Sequence, residues 1–203
     1  EQGRTALQLG QLHATLATHA LLALELRFAQ LHVDGVHLDV RRDARGRIRV
    51  AGLDTQAHVD LSDDGRAADW LFSQNEIAIR RGTVRWTDEW RGAPALELTE
   101  VDLVLRNGLM RHQMRLDATP PAAWGERLSL VGEFSQGLFD RSGDWRSWSG
   151  TLHVDLPVAD VGELRRYVQL PFDLQGGRGT LRAWLDTEAG DWRSATAQIA
   201  LKD

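Results

Sequence analysis

The chain has 203 residues, 42% of them apolar, with a net charge of −5 and a pI near 5.8. That length supports one domain with a real core or two small ones, and the apolar share excludes a disordered tail. The acidic balance excludes nucleic acid as the main partner, and the absence of cysteine excludes thiol catalysis, a disulfide scaffold and Cys-based zinc sites.

No apolar run approaches the roughly 20 residues that span a bilayer. The sequence begins at Glu1 in mid-pattern, without a basic or signal-like segment, and reads as a piece of a longer protein. Thr18 caps a short expected helix reaching Leu24. Alternation of period two then takes over, the mark of strands with one buried face. Leu24, Leu26 and Phe28 alternate with Glu25, Arg27 and Ala29. Asp34-Gly35 is a type I′ hairpin signal, after which Val36, Leu38 and Val40 continue the series. Across such a hairpin His32 and His37 would face each other.

Asp64-Gly65 leads into a helix expected over Ala67–Gln74, with Ala67, Leu71 and Trp70 toward the sheet. Ile77 and Ile79 follow, then Val84 and Trp86, Leu96 and Leu98, and Val101, Leu103 and Leu105. Asn107-Gly108 reverses the chain into Met114 and Leu116. Pro120-Pro121 make Ala118–Trp124 an extended link, because proline cannot sit in a central strand. Leu128, Leu130 and Phe134 resume the alternation, with Gly132 on the same face between them, and Leu152, Val154 and Leu156 carry it on. The clearest helix is Asp160–Val168: Asp160 suits an N-cap, Glu163 sits three residues on, and Pro171 forbids continuation. Leu181, Ala183 and Leu185, then Ala197, Ile199 and Leu201, complete the pattern. The fold class is therefore mainly β, a long antiparallel meander with one apolar face and a few short helices near 66–74 and 160–168.

Chemistry-bearing constellations are missing from this pattern. The seven histidines have no helical zinc-site spacing, and no serine sits in a Gly-x-Ser-x-Gly elbow. Asp and Glu are too numerous and too turn-bound to single out a glycosidase pair. The run Gln175-Gly176-Gly177-Arg178-Gly179 precedes a strand, so it lacks the helix N-terminus of a phosphate cradle. The expectation is a protein that is not an enzyme, with no catalytic residue, no metal and no cofactor.

Eight tryptophans beside a single tyrosine are the unusual feature. Sugar stacking, anchorage at a sheet margin or membrane interface, and ordinary packing against loops all use such rings. Their placement beside turn residues favours sheet-margin packing over a concentrated cleft. There is weak repetition too. Gly143-Asp144-Trp145-Arg146-Ser147 recurs as Gly190-Asp191-Trp192-Arg193-Ser194, and Arg81-Gly82-Thr83-Val84-Arg85-Trp86 resembles Arg178-Gly179-Thr180-Leu181-Arg182-Ala183-Trp184. Reused hairpin chemistry accounts for this, and a stacked β repeat is the alternative.

Several stretches resemble a known family. They are Ala68-Asp69-Trp70-Leu71, Gly82-Thr83-Val84-Arg85-Trp86-Thr87-Asp88-Glu89, Ala118 through Gly125, Gly143 through Leu152, Leu170-Pro171-Phe172-Asp173-Leu174, and Gly179 through Leu185. Together they resemble the N-terminal part of the YhdP branch of AsmA-like proteins. Residues 1–60 are similar to the superfamily's opening strand–helix–hairpin unit, and 61–203 to its continuing β-groove.

The resemblance implies a periplasmic, curved, groove-like sheet, anchored in the inner membrane by a helix this chain does not include. Its apolar trough would pass phospholipids toward the outer membrane. Implied partners are phospholipid acyl chains, the inner membrane and other envelope proteins, without nucleic acid. The groove candidates are Leu26, Phe28, Val36, Leu38, Ile77, Ile79, Val84, Trp86, Leu103, Leu105, Met114, Leu116, Leu128, Leu130, Phe134, Leu152, Val154, Leu181, Leu185, Ile199 and Leu201. Periodicity alone leaves two covers for this face, lipid or a second sheet. A structural or adaptor β-module of an envelope assembly and a carbohydrate-binding sandwich are the competing functions.

Overall fold

The computed structural model describes residues 11–17, 27–51, 59–60, 66–167 and 176–202. The expected helix at Thr18–Leu24, the candidate Leu26 and the stop at Pro171 lie outside them. In chain order the elements are β1 (Gln11–Leu16), β2 (Phe28–Asp34), β3 (His37–Arg42), β4 (Ile48–Ala51), β5 (Val59–Asp60) and helix α1 (Arg66–Ser73). There follow β6 (Glu76–Asp88), β7 (Ala93–Asn107), β8 (Arg111–Thr119), β9 (Leu128–Ser135), β10 (Ser149–Asp160), helix α2 (Val161–Leu164), β11 (Arg178–Glu188) and β12 (Asp191–Lys202). All twelve strands belong to one sheet.

From β6 to β12 the sheet is the expected antiparallel meander, each strand pairing with the next. Asn107-Gly108 does reverse the chain, with Gly108 N–H donating to the Arg111 carbonyl at 2.7 Å. Ala118 and Thr119 still belong to β8, so the link is shorter than expected and begins at Pro120-Pro121. The α1 helix forms where expected, but Ala68 is its buried residue and Trp70 is 41% exposed. At α2 the Asp160 carboxylate accepts from Glu163 N–H at 3.1 Å, the predicted cap.

Asp34-Gly35 is not a hairpin. β2 and β3 run in the same direction, both parallel to β6, with Leu31 opposite Ile77 and Leu38 opposite Val84. A type I′ turn needs two residues at positive φ, and here only Gly35 has one, at 67°. The chain therefore kinks and continues, Gly35 N–H bonding the Arg80 carbonyl at 2.9 Å and the Val36 carbonyl accepting from Thr83 N–H at 2.8 Å. His32 and His37 lie along one bent strand, and His32 Nε2 meets Glu76 Oε1 at 2.9 Å. β1 flanks the first half of that strand and β4 the second, so strands before and after residue 60 share the sheet.

The kink is one of a series. Arg81 (φ 50°) in β6 and Glu100 (φ 48°) in β7 sit at shifts of register, and β10 shifts between Leu156 and Ala159. Each bulge inserts residues that would flip the alternation, and the strand bends there so that its apolar side chains stay on one face. Asp34, Arg81, Asp102 and Arg127 clasp this line: Arg81 pairs with Asp34, Arg81 N–H donates to Asp102 at 3.1 Å, and Arg127 reaches Asp102 at 2.7 Å.

The packed core lies under α2. Val101, Ala118, Leu128, Leu156, Ala159, Leu164 and Leu181 form a buried cluster, with Trp124 against it. Near the far end of β6, Asp88 is only 2% exposed and holds Arg42, Nε to Oδ1 at 3.0 Å. The Arg42 guanidinium also lies 4.7 Å from the Trp90 ring and 5.7 Å from Trp86, so two of the tryptophans dress an ion pair that joins β3 to β6. Burial opposes the ionised form of Asp88, but the Arg42 hydrogen bond and the Arg91 N–H outweigh it and hold the carboxyl below its ordinary value.

Candidate functional site

Register converts alternation into continuous tracks. Leu12, Val33, Ile79, Leu103, Leu116, Leu130, Val154, Ala183 and Ala197 stand opposite one another in nine successive strands. A second track runs beside it through Ala14, Leu31, Ile77, Leu105, Met114, Gly132, Leu152, Leu185 and Ala195. With strands about 4.8 Å apart, each track extends roughly 38 Å. No polar residue interrupts either one.

The strand ends of this face are covered and its middle is not. α2 packs Val161 and Leu164 onto one end. α1 lies over the other, where Phe72 meets Trp148 at 4.7 Å between ring centres and His112 at 6.0 Å. Between them Leu103, Leu105, Met114, Leu116, Leu130, Leu152, Val154 and Leu185 are half-buried, with no second sheet over them among the described residues. Of the remaining candidates, Val36, Ile77, Leu128 and Leu181 are buried and belong to the packing beneath. Phe28 sits edge-on to Trp70, and Trp86 lies by Arg42. Leu38 stands opposite Val84 across β3 and β6, and Val84 packs against the core cluster. Phe134 folds over Gly132, where a Cβ would meet its ring at 2.5 Å. Ile199 and Leu201 stand on the edge strand β12, Leu201 41% exposed.

At the α1 end the trough deepens into a cavity of about 620 Å³ bounded by Phe72, Leu105, Met114, Phe134, Trp145, Trp148 and Trp192, with Arg146 at its edge. Three tryptophans thus gather at one place, which the expectation of scattered sheet-margin rings missed. The repeated Gly-Asp-Trp-Arg-Ser segment was the available signal, because its two copies meet here. Gly190 N–H donates to the Trp148 carbonyl at 3.1 Å, and a Cβ on Gly190 would fall 1.6 Å from the Arg146 carbonyl oxygen. Only glycine combines that approach with its φ of 83°.

A polar chain fixes the cavity wall. Gln74, fully buried, accepts from Phe28 N–H at 2.7 Å, and Asn107 Nδ2 donates to the Gln74 carbonyl at 2.8 Å. The His112 ring nitrogens contact Asn107 Oδ1 at 2.9 Å and Gln136 Oε1 at 3.1 Å, while its face stacks on Trp148 with centres 3.7 Å apart. Burial pushes the His112 pKa below its ordinary value, and the Gln136 hydrogen bond opposes this. The opposite face of the sheet is charged and paired, as in Arg115–Asp117 and Arg182–Asp155. Among the described residues no group of three or more His, Asp or Glu could hold a metal ion, and no helix is long and apolar enough to cross a membrane.

One open sheet with uninterrupted apolar tracks and a helix at each strand end defines a β-trough protein. The chain matches the family model described as YhdP protein over residues 1–203, and it belongs to that family. No curated protein and no solved structure matches it.

Proposed function

We propose that this chain is a stretch of a phospholipid-conducting trough in the cell envelope, periplasmic and linked to the inner membrane through another part of its protein. The observation that carries this reading is the pair of apolar tracks that run unbroken across nine strands and whose half-buried middle, from Leu103 and Leu105 in β7 to Leu185 in β11, has no second sheet over it among the described residues. Water-soluble proteins rarely leave a continuous apolar strip of that size without something to meet it. Acyl chains lying along it gain about 25 cal/mol for each Å² of apolar surface removed from water. Such binding needs no specific polar contact, so lipids can pass from strand to strand, and no covalent step is involved. Other envelope proteins are accommodated at the edge strands β1 and β12.

The test is photo-crosslinking in cells from residues at Leu103 and Leu130 in the trough, with Val131 on the opposite face as control. Trough positions should label phospholipid and Val131 should not. Crosslinks from Leu103 and Leu130 to protein alone would replace the conduit with an adaptor module.

A further inference from the structure

We propose that the cavity at the α1 end is a resting site for one phospholipid, with an acyl chain in the cavity and the phosphate on Arg146. The proposal rests on the trough reading above and adds a fixed station to it. Three observations converge on it. The cavity, about 620 Å³, is within the size range of small-molecule sites and opens from the second track through Leu105 and Met114. Its wall is rigid: Trp148, 6% exposed, is clamped between the His112 ring and the edge of Phe72.

The third observation is the charge at its edge. Arg146 is exposed, lies 4.6 Å from the centre of the Trp145 ring, and has no ion pair among the described residues. Its counterpart in the repeated segment, Arg193, is paired with Glu188 at 2.6 Å. The arginine beside the cavity is the one left without a carboxylate, and the Gly190 turn packs against its backbone. A guanidinium offers a planar donor fork that matches phosphate oxygens. A ligand with an alkyl tail and an anionic head satisfies both halves of the site. A free anion leaves the apolar wall unmet, and a neutral alkane leaves the guanidinium unmet.

Calorimetric titration of the chain with dihexanoyl phosphatidylglycerol, decanol, decanoate and inorganic phosphate separates the possibilities. Arg146→Gln should weaken the phospholipid about tenfold, the loss of one charge-assisted contact, and leave decanol unchanged. Thr187→Trp, which narrows the cavity from β11, should weaken both. If binding is abolished by Leu130→Asp yet indifferent to Arg146→Gln and Thr187→Trp, the station is overturned and the trough stands. No phospholipid binding to the unaltered chain overturns both. Decanoate, which also joins an alkyl tail to an anion, should weaken in Arg146→Gln as the phospholipid does. Decanoate indifferent to Arg146→Gln, inorganic phosphate binding as tightly as the phospholipid, or an equal loss of decanol in Arg146→Gln overturns the assignment of the headgroup to Arg146.

Discussion

His112 shows how a single buried side chain couples the trough wall to pH. Asn107 Nδ2 and Gln136 Nε2 donate to backbone carbonyls, which leaves both amide oxygens facing the ring. A neutral imidazole can donate to only one of them, yet burial favours the neutral form and holds the pKa below its ordinary 6.5. The sign follows directly. Above the unfolded value both states are neutral and the contribution is fully present. As pH falls from there toward the lowered folded value, the unfolded chain takes up the proton first and stability declines. Thermal unfolding followed from pH 8 to pH 5 should show the midpoint falling below about 6.5, and His112→Asn should remove that part of the slope.

Asp88 obeys the opposite logic, because it is held ionised. Asp88→Ala leaves Arg42 facing Trp86 and Trp90 without its counter-ion. The side chain of Arg42 is 20% exposed, so water relieves part of the penalty and denaturant titration should show a loss of about 2–4 kcal/mol.

At the scale of elements, the bulges decide which way each strand looks. Their trace is present in the sequence as switches of parity: Ile79 to Val84, Leu98 to Val101, Val33 to Val36 and Leu156 to Ala159. Alternation therefore reveals the faces of β6 to β12 well, and the meander with them. The same switch at Asp34-Gly35 has two physical outcomes, a turn or a bulge, and local residues do not choose between them. The choice is made by β6, paired 46 residues further on, whose parallel edge accepts both halves of the bent strand. The cavity left only the repeated Gly-Asp-Trp-Arg-Ser segment as a trace, since Trp145 and Trp192 come to line one cavity only when β10, β11 and β12 pair.

Arg81 tests the bulge mechanism itself. A non-glycine residue at φ 50° stores about 1–3 kcal/mol of strain, while its exposed pair with Asp34 returns at most about 1 kcal/mol. Arg81→Gly should be close to neutral in chemical denaturation. Arg81→Val, with a branched Cβ in the left-handed region, should lose about 2 kcal/mol relative to it. Equal effects of the two would mean the backbone there is not strained. Gly190→Ala meets both strain and the Arg146 carbonyl, and should lower stability by about 2 kcal/mol or more.

For the whole molecule, the decisive property is that one sheet has two unlike faces. On β9, Leu130 lies in the first track between Leu116 and Val154, and Ser129 lies opposite Asp117 and Asp155 on the charged side. These neighbours differ by one residue in sequence and by the full thickness of the sheet in environment. Leu130→Asp places a charge midway along a track that acyl chains would follow, and desolvating it opposes any lipid laid over it. Ser129→Asp adds a charge on the face where Arg115 pairs with Asp117 and Arg182 with Asp155. Lipid extracted with the purified chain should therefore fall at least several-fold in Leu130→Asp and stay near the unaltered level in Ser129→Asp. Leu130 is half-buried and packs against the edge of the core under α2, so circular dichroism must show the same β content in both variants for the comparison to report on lipid. An equal loss of lipid from both variants would break the link between the apolar face and lipid. A loss of fold in Leu130→Asp alone would instead assign that residue to packing, and Leu103→Asp, on the same track two strands away, would then carry the test.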